Sequence, residues 1–221
     1  MPAWFWDTPQ VSGGALAVGY SVPHRESLSA NDDAFKDAAW RLFCDRTSLV
    51  TGERGSATAP DGMMDLGSTL NQQVDSAGFE AFQKHVVRLD SALAGGMRVM
   101  LVGTGEFPMD TACIPSPAEE EAIQMELTVA EGSAPIYYYQ SSSWQEAEQR
   151  ARLELALGAN AEIKGVGVNR DNEQFKAAVF KTNVRLEAVQ TVRRRWDMKN
   201  GVVKAWVTGR ATQVNSERDR R

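Results

Sequence analysis

The sequence is short of the residues that chemistry most often uses. Only two histidines occur in 221 residues, His24 and His85. Neither has a second His, Cys or carboxylate at metal-ligand spacing, which excludes the common histidine-based metal sites. Cysteine is as rare: Cys44 falls in a helical pattern and Cys113 in a proline-rich loop. A disulfide framework is thereby excluded, while a single Cys44–Cys113 pair in an oxidising compartment stays open. No apolar run approaches the roughly 18–20 residues that span a bilayer as a helix. No Gly-x-Ser-x-Gly elbow occurs, "GTGEFP" lacks the lysine of a phosphate loop, and "GVGVNR" (Gly165–Arg170) lacks the third glycine of a dinucleotide loop. Excess positive charge is missing too: the net charge is -5. The field of such a chain opposes general binding to nucleic acid or anionic lipid. The opening "MPAWFWDTP" has neither a basic n-region nor an apolar h-region. The expectation is a cytoplasmic chain if Met1 is native, or an exported one whose leader has been removed.

What is present is ordinary globular composition, 43% hydrophobic and 24% charged. A chain of this size buries roughly 70% of its unfolded surface and needs no metal or disulfide staple. "GALAVGYS" (Gly14–Ser21) reads as a buried strand. Ser29–Val50 carries Phe35, Ala38, Ala39, Leu42, Phe43, Thr47 and Val50 near helical spacing. Gly52–Gln73 is rich in Gly, Ser, Thr and Asp and reads as a loop. Phe79–Glu106 reads as two strands around Gly95-Gly96, a turn pair that tolerates positive φ. Phe107–Glu121, with three prolines and an acid run, suits a linker, and "AIQMELTVAEG" (Ala122–Gly132) offers a short strand at the seam. Beyond it "PIYYYQS" (Pro135–Ser141) reads as a strand, Ser142–Ile163 as a serine-capped helix, and Thr182–Ala211 as a hairpin turning at Lys199-Asn200-Gly201.

The order repeats, and so do residues. Ser29, Ala34, Ala38 and Leu42 match Ser142, Ala147, Ala151 and Leu155 at identical spacing. Leu16–Ser21 is set against Ile136–Ser141, and "KHVVRLD" (Lys84–Asp90) against "KTNVRLE" (Lys181–Glu187). Small residues four apart let a helix lie close on a sheet. The fold class expected is therefore α+β, a tandem duplication of a strand–helix–strand–strand (βαββ) unit with antiparallel hairpins, each on one long helix. The first unit spans residues 1–106 with an aromatic N-terminal segment. A Pro/Glu-rich linker fills 107–133, and the second unit with a charged tail fills 134–221.

Two stretches invite a contact reading. Trp4, Phe5 and Trp6 cost solubility unless they dock, against the body of the first unit or on a partner. In "RRRW", strand alternation sends Arg193 and Arg195 one way and Arg194 and Trp196 the other. The solvated, edge-strand reading of these arginines outweighs a nucleic-acid reading. A cleft between the units would be lined by Trp144, Trp196 and Trp206 with Tyr137–Tyr139, as a small-molecule ligand would require. The candidate partner or ligand contacts are Trp4, Trp6, Trp144, Arg194 and Trp196. No catalytic, cofactor-binding or metal residue is nominated.

The positions Pro2, Trp4, Val18, Gly19, Ser21, Ala30, Ala34 and Ala38 form a Pro-x-Trp start, a strand ending Val-Gly-x-Ser and an alanine-spaced helix. This pattern resembles the LPP-twenty lipoprotein family of bacterial envelope proteins, and is similar to the N-terminal domain of the flagellar assembly protein T. The match is strongest over the first fifty residues or so and echoes in the second unit. The resemblance implies a small α+β unit and a non-enzymatic envelope protein, in the periplasm or at the outer membrane. It also implies work through a protein partner or self-association, with membrane attachment only through a lipid anchor. The chain departs from that family in having no N-terminal cysteine to lipidate.

Overall fold

The computed structural model describes residues 1–10, 14–22, 27–59, 62–94, 96–104, 127–170 and 173–214. In chain order these form α1 (Ala3–Trp6), β1 (Ala15–Tyr20), α2 (Ser27–Arg46), β2 (Thr47–Ala59), β3 (Gly62–Gln73), a 3-10 turn (Ser76–Gly78) and α3 (Phe79–Gln83). Then come β4 (Val86–Ala94), β5 (Met97–Thr104), β6 (Thr128–Pro135), α4 (Gln140–Ala159), β7 (Glu162–Arg170), β8 (Glu173–Asp197) and β9 (Val202–Gln213). The fold is mixed α+β with antiparallel sheets, as the sequence pattern requires. His24, Cys113 and most of the linker lie outside the described residues.

A three-stranded sheet runs β1-β5-β4. Its central strand, "MRVMLVGT", is apolar almost throughout because both its faces are covered. On one face, Ala34, Ala38, Ala39 and Leu42 of α2 meet Ala17, Met100 and Val102. On the other, Leu16, Val18, Tyr20, Met97, Val99 and Leu101 share a core with Phe5, Trp144, Ala147, Val203 and Ala205. A six-stranded sheet runs β3-β2-β8-β9-β6, with β7 also on β8. Helix α4 lies on it through Ala151, Leu155 and Ala156, above Val184, Leu186 and Val207.

Each long helix is seated on a glycine. A Cβ on Gly19 would stand 2.2 Å from the Ala34 carbonyl oxygen, and one on Gly132 would stand 2.2 Å from that of Ala147. Helix and strand backbones touch there, which only glycine permits, and the alanines one turn on keep the approach close. The strand orders agree as well, with the first strand beside the last in β1-β5-β4 and in β6-β9-β8. Both hairpins shift register at the corresponding place, between Arg88 and Asp90 and between Thr191 and Arg193.

Several expectations are corrected. The first long helix ends at Arg46, and Thr47 and Val50 of the expected helix belong to β2, where pairing with β8 outweighs their helical spacing. Gly52–Gln73 is a hairpin, β2 on β3, whose outer side is held by pairing with β8 rather than by burial, so it lacks the apolar alternation of a half-buried strand. Ile136–Tyr139 is no strand; the strand before α4 is β6, where Ala130, Gly132 and Ala134 alternate toward the helix. β6 thus occupies the end of the stretch read as a linker. The Lys-x-x-Val-Arg-Leu-acid echo is not positional. Arg88 stands across β5 from Ala17, near Gly19, whereas Arg185 lies far down β8 from the level of Gly132, between β2 and the end of β9. Because β2 and β3 join β8, residues 1–106 and 134–221 share one sheet. The turns at Gly96 (φ 78°) and Gly201 (φ 64°) stand where the sequence puts them.

Candidate functional site

The strongest polar feature is a closed cluster of charge that neither sheet contains alone. Glu148 of α4, 1% exposed, accepts from the Tyr20 hydroxyl at 2.5 Å, from Arg41 Nη1 at 2.5 Å and from Arg194 Nε at 2.8 Å. One helical turn on, Arg152 Nη2 donates to both oxygens of Asp45 at 2.9 Å. Arg41 Nε also donates to Asp37 at 2.8 Å, and that carboxylate accepts from the Tyr20 backbone N–H. Acids and arginines of α2, α4 and β8, with Tyr20 of β1, are so matched around a void of only about 10 Å³, which is too small for any ligand beyond one water.

The electrostatics follow. Burial pushes the Glu148 carboxyl up, but Arg194, Arg41 and Arg152 together with the Tyr20 hydrogen bond outweigh it, and the group sits below the ordinary carboxylate range. Burial pushes Asp45 up, and its Arg152 partner pulls it back without cancelling the rise. Burial also holds the Tyr20 phenol well above its usual value, Arg194 opposing and Glu148 reinforcing. Among the described residues, no group of three or more His, Cys, Asp or Glu is placed to hold a metal, and no helix is long and apolar enough to cross a membrane.

The five nominated contacts fall together, but two of them inside the protein. Trp144 is 0% exposed and Arg194 1%, so neither offers a surface to a partner. Trp144 lies edge-on to Phe5, Trp6 and Trp196 at 5.3, 5.9 and 5.3 Å between ring centroids. Such edge-to-face rings make a cohesive core. Trp4 donates its indole N–H to Asp90 at 2.6 Å. The strand alternation at "RRRW" stands: Arg194 and Trp196 pair with Ala205 and Val203 and face the core. Arg193 and Arg195 face outward onto Asp7. The edge reading needs correction, since β8 has β9 on one side, and on the other β2 followed by the N-terminal segment. Trp206 pairs across β9 with Arg193 and Glu131, away from α4, so it lines no cleft with Trp144.

Among the described residues, two accessible features stand out. Ile136, Tyr137, Tyr138 and Tyr139 cross from β6 to α4 on the surface, Tyr138 93% exposed, and Met198 is 75% exposed in the β8–β9 turn, whose Gly201 carbonyl accepts from Ile136 N–H. Their backbone is fixed at both ends, by Ile136 N–H to the Gly201 carbonyl at 3.3 Å and Tyr137 N–H to Ser143 Oγ at 2.8 Å at one, and by Ser142 N–H to the Tyr139 carbonyl at 3.1 Å at the other. The second is a groove of about 450 Å³ lined by Thr51, Asn71, Asn160, Asn183 and the Glu53–Lys181 ion pair. His85 is exposed in the turn before β4.

Reading the sequence alone missed Glu148, Arg152, Arg41 and Asp45. The available signal was charge at four-residue spacing, Asp37-Arg41-Asp45 and Glu148-Arg152, the latter pair each one residue after an alanine of the sheet-facing row. Charge next to such a row points inward. No protein-family model, curated protein or solved structure matches the chain.

Proposed function

We propose that this chain is a non-enzymatic protein of a bacterial cell envelope that works by contacting another protein. The observation that carries this reading is the aromatic end Ile136–Tyr139 with Met198. Side chains of this kind, exposed together on a backbone held at both ends, bind with little ordering cost. Tyrosine is also enriched where interfaces concentrate their energy. The titratable groups with the strongest perturbation are sealed among themselves in the Glu148 cluster, which favours a structural role for them over turnover.

The envelope part rests on the resemblance carried by Pro2, Trp4, Val18, Gly19 and the alanines of α2. Those residues do a definite job in this fold: Gly19 lets α2 come down on β1 against Ala34 and Ala38. We also read the two helix-bearing units as tandem copies, supported by the paired glycine seats, the common strand order and the matching register shifts. Expression of the native gene in its own host, followed by fractionation and weighing of the mature protein, tests the location. A membrane-fraction product with a lipidated cysteine ahead of Pro2 is expected. A soluble cytosolic product starting at Met1 would remove the envelope reading.

A second reading, small-molecule binding, is favoured by the groove at Thr51, Asn71 and Asn183, whose volume falls in the range of ligand sites. Its amides, hydroxyls and one ion pair suit a polar, hydroxyl-rich ligand. A saturable rise in melting temperature with a sugar or polyol, lost in Asn183→Leu, is the expected sign. No shift across a panel of such ligands would retire it.

A further inference from the structure

The segment Ala3–Pro9 is bound to the rest of the molecule the way a peptide is bound by a receptor. β2 covers one edge of β8 only as far as Glu187. Past that point the residues that follow α1 take over, with an isolated antiparallel bridge between Asp7 and Arg193 and Thr8 N–H donating to the Val192 carbonyl at 2.9 Å. This is strand addition reduced to one bridge, and side chains of β8 make the rest of the seat. Phe5, 0% exposed, fills the pocket between Tyr20 and Trp144 beneath the Arg194 guanidinium, 5.2 Å from its ring. Arg194 Nη1 donates to the Phe5 carbonyl at 3.1 Å and to Thr8 Oγ1 at 3.0 Å. Arg195 Nη1 donates to the Trp6 carbonyl at 3.0 Å, while its Nη2 reaches both Asp7 oxygens at 2.7 and 2.8 Å. Gln190 Nε2 closes the row on the Pro9 carbonyl at 3.0 Å.

All of these contacts come from one short run of consecutive residues, so the run carries its whole binding determinant with it. The seat in turn needs an occupant: with the segment gone, the buried Arg194 would lose two acceptors and the core would open beside Trp144. We propose that the seat along Gln190–Arg195 is a peptide-binding site, filled here in cis by Ala3–Pro9 and able to take the same segment from a second copy of the chain. It reads a buried aromatic, an acid two residues later and a hydroxyl after that. The tethered segment is present at high effective concentration, so the trans form arises by mutual exchange, in which each copy receives what it gives. This holds whether or not the Tyr138 surface meets a partner.

The test uses the full chain with a single protease site substituted at residues 11–13, cut after folding. Native mass spectrometry should find the cut segment retained and exchanging one-for-one with an isotope-labelled synthetic peptide of residues 1–10. Asp7→Lys in that peptide should weaken binding about tenfold, because like charges then face each other. Arg195→Glu in the body should recover part of that loss. If the body unfolds as the segment leaves, refolding on addition of the peptide supports the site, and failure to refold overturns it. A segment that neither leaves nor exchanges, or a lysine peptide that binds equally well, overturns it too. For the second copy, intact chains carrying two different tags are mixed at high concentration in sub-denaturing urea and then diluted. A mixed-tag dimer is expected, and strictly monomeric chains would overturn exchange in trans.

Discussion

Gly19 and Gly132 occupy the same place beneath the two long helices, each where a Cβ would stand 2.2 Å from the carbonyl oxygen of a helix alanine, Ala34 in one case and Ala147 in the other. The two contacts are separated by the same stretch of sequence in each unit. Neither position can accept a methyl group without moving a backbone.

Gly19→Ala and Gly132→Ala should therefore each destabilise the protein, by about 1–3 kcal/mol or more, as overfilling of a tight contact does. Urea unfolding measures it. Gly158 is the control, exposed near the end of α4 with nothing within 4 Å of an added Cβ. Gly158→Ala should be neutral or stabilising by up to about 1 kcal/mol. Equal effects at all three positions would remove the argument for the glycine seats.

Glu148→Gln should be far costlier than its size suggests. It leaves Arg194 and Arg41 buried opposite a neutral group, and breaking such a cluster from one side costs about 3–5 kcal/mol. Glu146→Gln on the same helix loses only a partly exposed pair with Arg150. It should change stability by less than about 1 kcal/mol.

The same cluster sets a pH dependence. Glu148 is held below its ordinary range in the folded protein, so its contribution is full above the unfolded value of about 4.3 and is lost as pH falls through the folded one. Asp45 runs the other way, being raised by burial: its contribution is present below its unfolded value and lost as pH rises through the folded one. Urea midpoints between about pH 7 and about pH 3 should show wild type and Glu148→Gln converging as the solution is acidified. A gap that stays constant would mean that the Glu148 charge is not what matters.

Much of the frame was legible in the sequence, and its limits are physical. The alanines at Ala34, Ala38, Ala147 and Ala151 announce two helices lying close on sheets, and the glycine-bearing turns announce both hairpins. The strand of the second unit was misplaced because Tyr137–Tyr139 have strong β propensity, while the true strand, "TVAEGSAP", is small and polar and held by pairing with β9. Propensity favours bulky residues, but a strand directly beneath a helix needs small ones. β2 and β3 were invisible for a related reason, since their partner β8 is distant in sequence and burial does not pattern them. The Arg-Leu-acid echo misled because recurrence in sequence says nothing about level in a hairpin. The role of Arg194 could not be read at all: its neighbours Tyr20, Phe5 and Glu148 come from three other elements.

Cys44 should be chemically silent in the folded state. It is 6% exposed, and burial pushes its thiol up to about 12, with the neighbouring Asp45 adding to the rise. Iodoacetamide at about pH 8, roughly half a unit below the ordinary thiol value of about 8.5, should leave Cys44 unmodified by peptide mass spectrometry until urea is added. Rapid labelling of the native protein would mean that α2 opens at its C-terminal end.

The account turns on the aromatic end at Tyr138, which is 93% exposed and held on a fixed backbone. The most direct measurement places a photo-crosslinking aromatic at Tyr138 in the native host and, as a control, at exposed Thr69 on β3. The expected result is a discrete cross-linked protein at Tyr138 that is missing at Thr69 and disappears in a Met198→Asp background whose circular dichroism is unchanged. No adduct at Tyr138 beyond that at Thr69, in cells where the protein is folded and abundant, would contradict the claim that this surface meets another protein.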